Sequence, residues 1–117
     1  MTLAPRFPHQ RLDAFKLSLR ARRATRRLVE GLPDGFGEDR RQLRRSAQAI
    51  PKLIAEGADR MAVGVKRQRF DEALGETAVG LEDLVHLEVL TVEQVEPVHA
   101  LLGRTRGAVL GLVKRLR

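Results

Sequence analysis

Cysteine is absent from this 117-residue chain, which excludes disulfide scaffolds, thiolate zinc sites, iron–sulfur clusters and cysteine nucleophiles. Tryptophan and tyrosine are absent as well, and four phenylalanines make up the whole aromatic complement. Proteins that read single strands by stacking bases on exposed rings need more than that, so their class is disfavoured. No apolar run approaches the roughly 18 residues required to span a bilayer, and residues 1–8 lack the basic, apolar and small-residue succession of a signal peptide. Together these absences predict a cytoplasmic protein with no membrane partner. The length suits one domain with a modest core.

Basic residues are plentiful and unevenly spread. The chain carries 22 Lys and Arg against 15 Asp and Glu, a formal charge of +7. Residues 1–60 hold 14 basic and 7 acidic side chains, whereas residues 61–117 hold 8 of each, so the whole excess lies in the first half. Such an asymmetry points to a polyanion, or to an acidic surface on another chain.

The remaining pattern is helical. After a flexible leader over residues 1–10, good helix formers over about 11–30 end at Gly31-Leu32-Pro33-Asp34-Gly35, a stop signal. Phe15, Ser18, Arg22, Thr25, Val29 and Leu32 share one side of that helix at 100° per residue, flanked by Ala14, Ala21 and Leu28. A second helix over about 39–57 turns Leu43, Ala47, Ile50 and Ile54 inward, with Ser46 and Leu53 beside them, and contains Pro51, which removes a backbone hydrogen bond and predicts a bend. A loop near Met61–Gly64 leads to a third helix over about 65–90. Its seam of Phe70, Leu74, Thr77, Leu81 and Leu84 is spaced 4-3-4-3, as in bundles. Thr91 and Gln94 fit a capping box that opens a fourth helix over about 92–116, with seam Val95, Val98, Leu102, Thr105, Val109, Leu112 and Leu116 and with Pro97 disturbing its first turns. Four helices, short connections and no strand alternation predict an all-α, antiparallel up-down four-helix bundle. Gly103, Gly107 and Gly111 recur every four residues on the last helix, a smooth strip suited to close helix contact, either inside the bundle or between subunits.

Two basic rows stand outside the seams. Lys16, Arg20, Arg23 and Arg27 recur at i, i+4, i+7 and i+11 on the first helix. Arg41, Arg45, Gln48 and Lys52 repeat that spacing on the second, joined by Arg44. Each row covers roughly 16 Å, comparable to several phosphate steps, and follows a backbone without reading sequence. Solvated faces, or pairing with the row Glu72, Glu76 and Asp83 of a neighbouring subunit, are the alternatives.

Enzyme signatures are missing. Asp83 with His86 and Glu96 with His99 have the spacing by which di-iron bundles bind metal. However, His86 lies about 200° from Leu84, and no inward pair of glutamates accompanies them, so solvated histidines with no metal and no cofactor are expected. Ser18 and Ser46 have no histidine near them and no nucleophile elbow around them. Gly35-Phe36-Gly37 lacks the lysine and the preceding strand of a phosphate loop.

At the second helix Gln42-Leu43-Arg44-Arg45, Ala47, Ile50-Pro51 and Ile54-Ala55-Glu56-Gly57, followed by Arg60, resemble the central signature of a known four-helix-bundle family. That family was first named for open reading frames in intervening sequences of bacterial 23S ribosomal RNA genes. Leu12 with Phe15, Leu32-Pro33, Ala73 with Gly75, and the ending from Val109 to Lys114 are similar to its other segments. The resemblance implies a ring-like homopentamer of up-down bundles without known catalytic activity. One branch serves as the accessory protein of diversity-generating retroelements, a basic pentamer that binds the reverse transcriptase and nucleic acid. Leu90-Thr91 with Gln94-Val95-Glu96 is similar to that branch's entry into the last helix, and both branches stay open at this point. The expectation is a non-enzymatic, self-associating basic bundle. It would bind RNA or DNA backbones through Lys16, Arg20, Arg23, Arg27, Arg41, Arg44, Arg45 and Lys52. The other reading is an adaptor whose basic face docks an acidic protein or a neighbouring subunit.

Overall fold

The seams and caps of the sequence translate into helices in a computed structural model. It describes residues 3–60 and 63–115, with the side chains at 59, 60, 63–66, 113 and 115 excepted. A 3-10 turn at Pro8–Arg11 precedes α1 (Asp13–Glu30), α2 (Gly37–Arg60), α3 (Val63–His86) and α4 (Val92–Arg115). No strand occurs among the described residues. Met61 and Ala62, in the expected loop, and Leu116, at the end of the last seam, lie outside the described residues.

α1 packs between α2 and α4, and α3 closes the bundle by packing on α2 and, less extensively, on α4. Contacts between α2 and α3 reveal their direction. Thr77 Oγ1 meets Ser46 Oγ at 2.7 Å, and Gly80 faces Leu43. Three residues forward on α3 therefore correspond to three residues back on α2, as antiparallel neighbours require. Likewise, Arg40 near the start of α2 bonds to carbonyls at the end of α1.

The apolar periodicity fixes what lies inside. Leu43, Ala47, Ile50 and Ile54 of α2, Phe70, Leu74, Leu81 and Leu84 of α3, and Val95, Val98, Leu102 and Val109 of α4 are all buried. On α1 the buried stripe is Ala14, Ser18, Ala21, Thr25 and Val29. Arg22, expected on that stripe, is exposed, and Ala21 fills the inward position. Ser18, Thr25, Val29 and Leu32 are buried as the spacing predicts, and at Ala21 the stripe passes one residue before Arg22, because a charged guanidinium without a buried partner stays in water while a methyl group packs.

The middle of the core is polar. Ser18, Thr25, Thr77 and Thr105 are fully buried, with Ser46 beside them. Ser18, Thr25 and Thr105 donate to the carbonyls of Phe15, Ala21 and Leu101, and Thr77 donates to Ser46, which donates in turn to Leu43 O at 3.3 Å. Each hydroxyl thus meets the requirement that a buried polar group be partnered.

α3 ends at His86 rather than at Leu90. Glu88 adopts φ 62, Val89 N–H donates to Leu84 O, and Glu88 N–H donates to Val85 O. This is the Schellman pattern, formed here on a glutamate, so no glycine announces the stop. The capping box opening α4 is present: Gln94 N–H donates to Thr91 Oγ1 at 3.1 Å, and Thr91 N–H donates to Gln94 Oε1 at 2.9 Å. α2 and α4 each continue as one helix through Pro51 and Pro97.

Gly80 is the helical glycine that close packing requires, since an added Cβ would sit 2.7 Å from Leu43 Cδ2. At Gly103, Gly107 and Gly111 the same atom would meet nothing within 4 Å. Contact inside the bundle therefore does not account for that strip.

Candidate functional site

The side chains that the core does not use gather on the flank shared by α1 and α2. An open groove of about 870 Å³ runs between them, lined by Arg22 and Arg26 from α1 and by Arg40, Arg41, Arg44, Arg45 and Lys52 from α2. Gly37, Ala47, Gln48 and Ala49 complete the lining. Buried Ala47 and the small residues Gly37 and Ala49 leave the channel unfilled, and the long cations stand along it.

Helical geometry explains the gathering. Arg22 and Arg26 are one turn apart on the side of α1 nearest α2. Arg41, Arg45 and Lys52 follow one another at i, i+4 and i+11 on α2, with Arg44 between them. Arg40 is half-buried: its Nε donates to Val29 O at 3.0 Å and its Nη2 to Leu32 O at 2.7 Å. It thereby caps the end of α1, whose last carbonyls lack helical partners, while carrying its charge to the mouth of the groove.

Two carboxylates accompany the seven cations. Glu30 pairs with Arg26 at 3.0 Å and with Arg44 at 3.7 Å, and Glu38 pairs with Arg41 at 3.1 Å. Both glutamate side chains are at least half exposed, so these pairs contribute little and are weakened further by salt. No carboxylate among the described residues pairs with Arg22, Arg45 or Lys52.

All eight residues singled out in the sequence are exposed, but the structure divides them. Arg41, Arg44, Arg45 and Lys52 line the groove. Lys16, Arg20, Arg23 and Arg27 form a separate stripe on α1, about 110° round the helix from Arg22 and Arg26, and do not line it. Sequence reasoning missed Arg22, Arg26 and Arg40. The signal for the first two was the Arg22/Arg26 spacing itself, obscured by assigning Arg22 to the core.

The opposite flank is different. His99 Nε2 lies 3.2 Å from Glu82 Oε2, linking α4 to α3 in an exposed pair, and His86 is exposed. No group of three metal-ligating side chains occurs among the described residues. Glu72, Glu76 and Asp83 are exposed on α3, and among the described residues none of them pairs with a basic residue of α1 or α2. No described helix is long and apolar enough to cross a membrane. Compared with known proteins, the chain matches no family model and no curated protein.

Proposed function

We propose that this protein is a non-enzymatic, basic helical protein that binds RNA or DNA by its phosphate backbone and acts as a self-associating accessory factor. The observation that carries the reading is the convergence of seven basic side chains on one groove, accompanied by two weakly held carboxylates. Guanidinium groups suit this role because each presents forked donors to phosphate oxygens. The groove contains no aromatic ring on which bases could stack, and contacts to phosphate carry no sequence information, so recognition through the backbone is independent of sequence.

Self-association, in a ring of five as the family resemblance implies, is supported by apolar side chains left in water. Val79, Leu87 and Val92 are exposed at 63%, 54% and 60%. The acidic row of α3 offers charge complementary to the outer row Lys16, Arg20, Arg23 and Arg27 of a neighbouring copy. The same resemblance suggests a reverse transcriptase as the protein partner. A second reading, for which the same basic groove speaks, is an adaptor whose basic face docks an acidic protein or a neighbouring subunit.

Binding to a generic RNA and to a DNA duplex, measured against salt, tests the proposal. Phosphate neutralisation requires a linear fall of log affinity with log salt. Negligible binding even at low salt would refute it and leave the adaptor in its place. Light scattering tests the assembly separately, a monomer or dimer mass rejecting the ring.

A further inference from the structure

Resting on the nucleic-acid reading, we infer that the α1–α2 groove holds a single strand with its phosphates inward and excludes the duplex. The first argument is shape. The groove holds about 870 Å³ along the roughly 16 Å of α2 from Arg41 to Lys52, a cross-section of about 50 Å² that admits one sugar–phosphate chain. A duplex, whose major groove alone is about 12 Å wide, is too broad to enter. It can rest only on the rims of the groove, whereas the cations stand along both walls.

The second argument is the arrangement of charge on both walls. Arg41 to Lys52 spans about 16 Å of α2, and at about 3.4 Å per stacked nucleotide this lies alongside roughly five phosphates. Arg22 and Arg26 approach the same line from α1. A strand between them is neutralised from two sides, whereas a phosphate ridge resting on either helix is reached from one. None of the four phenylalanines lines the groove, so the bases face solvent and the grip belongs to the backbone. Ring-stacking readers hold strands the other way round.

Gln48 and Gln42 supply the test. Both are exposed on α2, but Gln48 lines the groove and Gln42, about 120° round the helix, does not. Gln48→Glu and Gln42→Glu are the same chemical change with the same net charge, differing only in position. Circular dichroism first establishes that both variants fold. Fluorescence anisotropy then compares a 12-nucleotide oligodeoxycytidylate, a 12-nucleotide oligodeoxythymidylate and a blunt 12-base-pair duplex at one ionic strength. The wild-type chain should hold both single strands within threefold of one another and about tenfold more tightly than the duplex. Gln48→Glu should weaken the single strands about tenfold, and Gln42→Glu less than twofold.

Equal losses in the two variants, or duplex binding as tight as strand binding, overturn the groove assignment while the broader nucleic-acid function stands. A tenfold preference between the two single strands overturns the inward orientation of the backbone. Absence of binding to all three probes overturns the function itself and this inference with it.

Discussion

Replacing Gly80 by alanine adds one methyl group where Leu43 already stands. The new Cβ would lie 2.7 Å from Leu43 Cδ2 and 3.3 Å from Cγ. Leu43 is itself buried among the core leucines, so its side chain turns away only by disturbing neighbours. Gly103→Ala adds the same methyl group to α4, where nothing lies within 4 Å. Each change gains up to about 1 kcal/mol of helix propensity, and this common gain cancels when the two variants are compared. The difference isolates the overpacking at Leu43, about 1–3 kcal/mol. For a domain of this length 1 kcal/mol moves the melting temperature by about 3–6 °C, so a 2 kcal/mol penalty separates the variants by roughly 6–12 °C. Thermal melts followed by circular dichroism should put Gly103→Ala slightly above the wild-type chain and Gly80→Ala below it. Equal stabilisation of both would refute the close approach of α2 and α3 at Leu43.

Three further outcomes follow from named contacts. Glu88→Gly removes the left-handed strain of a side chain at φ 62 while loosening the unfolded chain; the net effect is a gain of about 0.5 kcal/mol, and a fall in urea midpoint would contradict the helix stop described for α3. Thr77→Val deletes the buried hydroxyl that bridges to Ser46 and should destabilise by about 1–2 kcal/mol; because the pair forms one network, the double variant with Ser46→Ala should lose less than the sum of the two, and strict additivity in chemical denaturation would count against the bridge. For oligouridylate, about five phosphates give a salt slope near −3.5, and Arg45→Ala should reduce its magnitude by about 0.7; a titration in which Arg27→Ala has the same effect would shift the binding surface to the outer row of α1.

The helices were legible because their seams are long and regular: Phe70 to Leu84 and Val95 to Val109 keep the 3-4 alternation without interruption. The end of α3 was not. Its stop rests on the left-handed conformation of Glu88, and a glutamate there carries no turn signal, unlike the Gly31–Gly35 cluster that closes α1. On α1 the pattern misled by one residue. Large apolar side chains are scarce along its middle, and the methyl group of Ala21 beside Ser18 and Thr25 marks the inward face too faintly to exclude Arg22 one residue on. Only packing against α2 and α4 decides which of the two faces inward. The basic rows were visible as spacing within single helices, but a groove belongs to a pair of helices. Its α1 wall depends on how far α1 is rotated, and that rotation is set by the small side chains that misled the reading.

Arg40 shows why charge and fold are joined at this site. Its guanidinium spends two donors on Val29 O, in the last turn of α1, and on Leu32 O, in the connection beyond it. The bonds pin the start of α2 against the end of α1 and so fix the mouth of the groove. A lysine at this position would keep the charge but not the planar fork that reaches both carbonyls. The neighbouring Arg41 and Arg44 are committed only to exposed glutamates, pairs that a phosphate can displace at small energetic loss. The groove therefore contains two kinds of arginine: one whose donors are bound into the fold, and others whose donors are loosely held where a polyanion would lie. If the groove holds a strand as proposed, the Arg40 anchor is the contact that keeps its two walls at a fixed width.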